Sequence, residues 1–351
     1  MAVATRVNER IERLRSTLEE PLLVTNGVNV RYLSGLASSN AALLVDDERA
    51  VLFTDFRYAS AARAVPGVDV VETHRNLFKA LAQTLTGRIG FEATAVSYAN
   101  YELLRGAGLE LVPRTGVVER LRAVKDEYEL TTIREAARIT DLAYAAFAEE
   151  RFVGRSEREL AWRLGELFHE HGAHGLAFES IVGSGATGAV PHGRPTDRRV
   201  EANTLVVVDA GCTIDGYNSD CTRTFATGDL PDDFAEIYDV CLRAQLAGLR
   251  ALRAGVTGAD ADAAARAVIA DAGLGELFGH GLGHGVGLLV HEAPTARPES
   301  EDILEPGNVI TCEPGIYLLD RAGVRIEDLV VITDGEPEVL SSYTKELVTV
   351  R

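Results

Sequence analysis

Residues 204–225 read TLVVVDAGCTIDGYNSDCTRTF. The run TLVVV is apolar and β-branched, so it reads as a buried strand, and it ends in Asp209. A turn follows, and residues 217–225 resume a strand that carries Asp220. Downstream, ITCEPGIY (residues 310–317) places Glu313 directly behind another apolar run. VRIEDLVVI (residues 324–332) holds Glu327 inside a β-branched strand, where an acid is expensive unless something compensates it. Between the two pairs lies GHGLGHGVGLLVHEAP (residues 279–294), in which glycines flank His284 and let backbone approach the site closely. Taken singly, each acid is an ordinary turn or strand-face carboxylate. Taken together, four carboxylates and an imidazole can converge only where their charge is neutralised, and two divalent cations would do that.

This donor set suits a hard-to-borderline metal, whereas a thiolate site would draw on Cys212, Cys221, Cys241 or Cys312. Cys221 and Cys312 adjoin the acids, but neighbours on a strand face opposite ways, so both are expected to pack. His280 and His284 imitate the H-x-x-x-H of a zinc-protease helix. The intervening GLG opposes a helix, however, and the Glu of H-E-x-x-H is absent. Residues 183–188 (GSGATG) lack the G-K-[ST] of a phosphate-binding loop.

Composition narrows the class. A net charge of −18 excludes a basic nucleic-acid-binding surface. The 351 residues, 46% of them hydrophobic, suffice for two domains with packed cores. The four cysteines form no C-x-x-C pair and suggest no disulfide framework, which favours a reducing compartment. The opening MAVATRVNERIERLRSTLEE is charged and helical in pattern, unlike a signal peptide, and no run of 18 apolar residues occurs. A cytoplasmic protein without membrane contact is expected.

Outward toward the N-terminus, residues 21–25, 41–45, 50–54, 68–71 and 89–92 read as strands. Residues 55–64, 76–85 and 97–107 between them have helix character, so this region is α/β. The strand pattern stops near residues 113–117, and a charged helix is expected over residues 125–152, with Leu130, Ile133, Ala137, Leu142 and Phe147 near a helical period. A boundary in residues 113–122 gives domains 1–115 and 116–351. In the second, Ser156 and Glu159 form a capping box for a helix over residues 156–171, with Trp162 assigned to the core. Further helices are expected over residues 231–253 and 259–272, then strands in VGLLVHE, NVITCEPGIYL and GVRIEDLVVIT. Two helices followed by strand pairs occur twice, suggesting a pseudo-duplicated α+β domain.

The motifs DAGCTIDGYNSDCTRTF, GHGLGHGVGLLVHEAP, ITCEPGIY and VRIEDLVVI, in this order, resemble those of the prolidase and aminopeptidase P branch of the pita-bread metallopeptidases. RYLSGLASSNAALLV (residues 31–45) resembles the N-terminal domain of the same branch, so the likeness spans nearly the whole chain. It implies an α+β fold, with a C-terminal pita-bread catalytic domain of creatinase/aminopeptidase type behind an α/β N-terminal domain. It also implies five metal ligands: Asp209, Asp220, His284, Glu313 and Glu327. His192 in GAVPHGRP and His291 in VHE match two non-ligand histidines of the branch. The resemblance further implies a homodimer in which residues 32–40 reach a neighbouring active site. One departure is Thr295 in HEAPTARP, where some dipeptidases carry an arginine; Arg297 stands two positions on.

The implied chemistry is hydrolysis of the bond between an N-terminal residue and proline, by a hydroxide shared by two divalent ions. Manganese, cobalt and zinc all suit these ligands. Glu313 would handle the proton, while His291 and His192 steady the carbonyl oxygen. Arg325, two residues from Glu327, should share its strand face and orient a ligand carboxylate. Arg297 would meet the substrate carboxylate of an Xaa-Pro dipeptide, the favoured substrate; aminopeptidase P action on longer peptides is the alternative. A metal-free creatinase-like amidinohydrolase or a non-catalytic scaffold would have lost ligands that are all present. Methionine aminopeptidases typically lack an extra domain like the first 115 residues.

Overall fold

The computed structural model describes residues 3–351. The chain divides into two compact units, Met1–Arg122 and Ala123–Arg351.

In the first unit, α1 (Val3–Arg15), β1 (Leu22–Val24), α2 (Gly27–Ser34), β2 (Ala41–Val45), β3 (Ala50–Asp55) and α3 (Phe56–Ala62) come first. They are followed by β4 (Asp69–Thr73), α4 (Leu77–Thr84), β5 (Arg88–Glu92), α5 (Tyr98–Gly106), β6 (Glu110–Arg114) and α6 (Val117–Ala123). The strands form one mixed sheet in the order β4-β3-β2-β1-β5-β6. Leu23, Ala42 and Phe53 pack with Leu77, Leu81 and Leu104 to make its core. Three elements of this unit escaped the sequence reading: β6, α2 and α6. Strand β6 contains Pro113, which breaks strand patterns but is tolerated on a sheet edge, where β6 lies. Helix α2 is short and defined by its ends: the Asn26 side chain accepts from Val28 N–H, and Gly35 closes it at φ +75°.

The second unit opens with α7 (Glu127–Phe147) and α8 (Glu157–Glu170). Helix α7 is shorter at both ends than the span expected over residues 125–152: a capping box of Asp126 and Glu129 starts it, and it stops at Phe147. Strands β7 (Gly175–Leu176), β8 (Ile181–Ser184), β9 (Leu205–Ala210), β10 (Cys212–Ile214), β11 (Tyr217–Asn218) and β12 (Cys221–Ala226) follow. After α9 (Asp232–Ala251) and α10 (Gly258–Asp271) come β13 (Gly283–Gly285), β14 (Glu292–Ala296), β15 (Val309–Cys312) and β16 (Gly315–Leu318). The last are β17 (Ala322–Arg325), β18 (Asp328–Val331) and β19 (Glu338–Val339). A helix pair thus precedes a sheet twice: α7 and α8 before β12-β9-β8, and α9 and α10 before β14-β13-β15-β18-β19.

Three expectations are corrected here. Trp162 is not core but 74% exposed, with its indole N–H donating to Glu166 at 3.0 Å. Helix α8 buries Leu160, Leu164, Leu167 and Phe168, and a residue two positions from Leu160 falls on the opposite face. Leu142 is likewise exposed on α7. VGLLVHE is not a strand: the chain bends between β13 and β14, and only Glu292 belongs to a strand. Each remaining strand-rich run is broken beside its acid, at Glu313-Pro314 and at Ile326-Glu327. All four cysteines are buried and unpaired. Among the described residues, no helix is long and apolar enough to cross a membrane.

Candidate metal centre

Strands β9 and β12 pair antiparallel with Asp209 opposite Thr222. The loop between them closes tightly at Gly211, where a Cβ would sit 1.9 Å from the Ser219 carbonyl oxygen, so only glycine fits. This brings Asp209, at the end of β9, beside Asp220, just ahead of β12. His284 lies in the middle of β13, between β14 and β15. A Cβ on Gly283 would stand 2.0 Å from the Thr311 carbonyl oxygen. The glycine therefore admits a neighbouring strand. Glu313 follows β15, with its N–H bonded to the Leu282 carbonyl at 2.8 Å. Glu327 lies between β17 and β18, and its N–H reaches the Thr222 carbonyl at 3.1 Å.

The side chains from these four places meet. His284 Nε2 is 3.2 Å from Glu313 Oε1 and 3.8 Å from Asp220 Oδ2. His284 Nδ1 lies 3.2 Å from the Gly285 carbonyl, a contact that orients the ring and aims Nε2 at the acids. Asp220, His284 and Glu327 each offer one atom within 4.8 Å of the others. Two carboxylates show the same division of labour. Asp209 Oδ2 accepts from Arg325 Nη2 at 2.6 Å, while its Oδ1 is buried without a partner. Glu327 Oε2 accepts from Thr222 Oγ1 at 2.7 Å, while its Oε1 is buried without a partner.

Electrostatics mark the cluster as short of cations. Burial, reinforced by the charge of Glu327, pushes Asp220 well above the usual carboxylate range. Burial and the charge of Glu313 do the same to Glu327. Asp209 is raised by burial despite Arg325. Glu313 differs: burial pushes it up, but the hydrogen bond and charge of His284 outweigh that and hold it at about 2.

Asp209, Asp220, His284, Glu313, Glu327, Arg325, His192, His291 and Arg297 all line one cavity of about 530 Å³. Arg325 reaches it from the end of β17 and serves Asp209 rather than Glu327, touching Glu327 only through Thr222, whose Oγ1 accepts from Arg325 Nε at 3.0 Å. The His291 ring centroid is 4.1 Å from that of His284, and burial, then the charge of His284, lowers its pKa. Thr295 is engaged elsewhere, bonding Ser300 and Asp302. Arg297 is exposed and lines the cavity.

Several groups in the cavity lining, or bonded to it, were not singled out from the sequence. Tyr317 Oη accepts from Arg325 Nη1 at 3.0 Å and meets His280 Nε2 at 2.9 Å. His280 had a signal, since it pairs with His284 in HGLGH, but only a helical reading of that pair was weighed. Phe178, Ile181 and Val290 supply an apolar wall and carried no signal, because each reads as core.

Comparison with known proteins agrees with this geometry. Residues 131–334 match Metallopeptidase family M24, and residues 10–124 match the Creatinase/Prolidase N-terminal domain. The Xaa-Pro dipeptidase of Pyrococcus horikoshii is 34% identical over 351 residues, 97% of this chain and 99% of its own. The structure of an Xaa-Pro dipeptidase from Bacillus anthracis superposes with a TM-score of 0.95 at 37% identity, covering 98% of this chain and 100% of the other. An X-Pro aminopeptidase from Thermotoga maritima gives a TM-score of 0.89 at 33% identity, covering 97% and 100%. The fold and the site thus define a pita-bread metallopeptidase with a creatinase-type N-terminal domain. The chain belongs to metallopeptidase family M24.

Membership implies a divalent metal cofactor, and the residues present fit one. Two buried carboxylate oxygens lack any donor, three acids are raised by burial and then by neighbouring carboxylates, and the donor set is oxygen with one imidazole.

Proposed function

We propose that the protein is an Xaa-Pro dipeptidase that uses two divalent ions, of manganese, cobalt or zinc, held by Asp209, Asp220, His284, Glu313 and Glu327. The observation that carries this reading is the pair of anchored carboxylates, Asp209 and Glu327, each with one oxygen unpartnered, Glu327 grouped with Asp220 and His284 and Asp209 lining the same cavity. The Xaa-Pro dipeptidase activity of the Pyrococcus and Bacillus relatives supports the substrate class. Bound there, the ions would lower the pKa of the attacking water and polarise the scissile carbonyl.

The chain's own groups do the rest. Glu313 lines the same cavity and takes the proton of the attacking water. His291 and His192 face the same cavity and donate N–H groups to the carbonyl oxygen as it gains charge. Arg325 fixes the Asp209 carboxylate and opposes, without cancelling, the rise that burial causes. The proline ring lies against the apolar wall of Phe178, Ile181 and Val290, and Arg297 meets the dipeptide carboxylate. A second reading, aminopeptidase P, is favoured by one observation: Thr295 offers no cation, and Arg297 is exposed. Further readings are a cytoplasmic homodimer, supported by the unpaired cysteines and by the resemblance of residues 31–45.

Hydrolysis of Xaa-Pro against Xaa-Pro-Yaa, assayed with each metal in turn, tests the proposal. Faster turnover of the dipeptide is expected; preference for the tripeptide would replace it with aminopeptidase P.

A further inference from the structure

Strand β12 works on both of its faces. Toward the cavity, Thr222 Oγ1 donates to Glu327 Oε2, and Thr224 Oγ1 donates to the Arg325 carbonyl at 2.9 Å. By the alternation of a strand, Arg223 points the other way, and it is only 2% exposed. All five of its N–H groups find acceptors. Nε donates to the Thr344 carbonyl at 2.9 Å, and Nη2 to Asp328 Oδ1 at 2.9 Å and the Tyr343 carbonyl at 2.6 Å. Nη1 donates to the carbonyls of Thr222 and Glu327.

Neutralising Asp328 does not need this arrangement, because its other oxygen already accepts from Gln245 Nε2 at 2.8 Å and from Lys345 Nζ. What the fork adds is a hold on Glu327. That residue falls outside the strand ladders, since β17 ends at Arg325 and β18 begins at Asp328. Its N–H is bonded by the Thr222 carbonyl and its C=O by Arg223, so both main-chain groups are tied to β12.

We infer that Arg223 is a positioning residue of the metal centre, clamping the Glu327 backbone from behind while Thr222 holds its carboxylate from the front, so that Glu327 Oε1 stays aimed at the ion. The inference rests on the reading of Glu327 as a ligand. A displaced ligand weakens metal binding before it affects substrate binding, and loss of such supporting partners typically costs tenfold to hundredfold in metal affinity.

The test is calorimetric titration of chelator-stripped protein with Mn(II), for wild type, Arg223→Lys, Arg223→Gln and Lys345→Met. Arg223→Lys keeps a cation beside Asp328 but cannot span the carbonyls of Glu327 and Tyr343. Arg223→Gln leaves Asp328 its partners Lys345 and Gln245, and serves if the lysine variant does not fold. Each folded Arg223 variant should bind Mn(II) about tenfold to hundredfold more weakly, with kcat lowered and KM unchanged. Lys345→Met, which alters the local charge without touching Glu327, should bind as wild type does. Wild-type Mn(II) affinity in a folded Arg223 variant overturns the inference, even if its melting temperature falls. So does an equal loss in Lys345→Met. A wild type that binds no metal would instead overturn the metal-centre reading, and this inference with it.

Discussion

Arg325 Nη2 lies 2.6 Å from Asp209 Oδ2, although the two residues are 116 positions apart in the chain. The same guanidinium bonds Thr222 Oγ1, Tyr317 Oη and the Pro191 carbonyl. One cation thus orients a carboxylate, a hydroxyl that holds a second carboxylate, and a tyrosine that meets His280. A lysine is a point charge and cannot serve these directions together. Arg325→Lys should therefore lower kcat about tenfold to hundredfold, with far-ultraviolet circular dichroism unchanged. Wild-type kcat in the lysine variant would show that only the charge matters.

Removing a proposed ligand should be more severe. Asp220→Ala or Glu313→Ala should abolish peptidase activity in a folded protein, because either loss leaves the ions under-neutralised. Metal content by atomic emission, together with hydrolysis of an Xaa-Pro dipeptide, checks this. Activity and metal content both retained in either variant would refute the dinuclear site.

Stability should depend on pH in a direction that metal reverses. A carboxyl whose folded pKa exceeds its unfolded value favours the folded state at low pH and loses that contribution as pH rises between the two. Asp209, Asp220 and Glu327 are all of this kind. Glu313 is opposite in sign, but its contribution is lost only as pH falls through about 2. Metal-stripped protein should thus melt at a lower temperature at about pH 8 than at about pH 5, above the ordinary carboxyl range near 4. Mn(II) should raise the melting temperature more at the higher pH, with about 2.7 kcal/mol available at a hundredfold excess over Kd. Scanning calorimetry at the two pH values, with and without Mn(II), reads the effect.

Arg297 bears on substrate length. A substrate carboxylate leaving water needs a cation, and a charge-assisted contact is worth about 1.5–3 kcal/mol. Arg297→Ala should raise KM for Xaa-Pro about tenfold to hundredfold, and much less for Xaa-Pro-Yaa amides. Equal effects on both substrates would make Arg297 an ordinary solvated side chain.

The order of the motifs along the chain, more than any single residue, marked the acids proposed for the centre. Glu327, inside a β-branched run, is the one acid costly enough to stand out alone, whereas Asp209, Asp220 and Glu313 read as ordinary carboxylates until taken as a set in motifs that resemble a family's. The α/β alternation of the first unit and the capping box at Ser156 were legible because period and cap are properties of neighbours in sequence. What only the tertiary structure decided is what depends on residues far apart meeting. Trp162 took the solvent face because the core claimed the stripe through Leu160 and Leu164. VGLLVHE became a bend, although its composition suits a strand. The spacing of Arg325 and Glu327 suggested that Arg325 orients a proposed ligand carboxylate, but that the carboxylate is Asp209 depended on the fold. A charged side chain settles where packing brings an opposite charge, and that place is set by the fold, not by the adjacent residues.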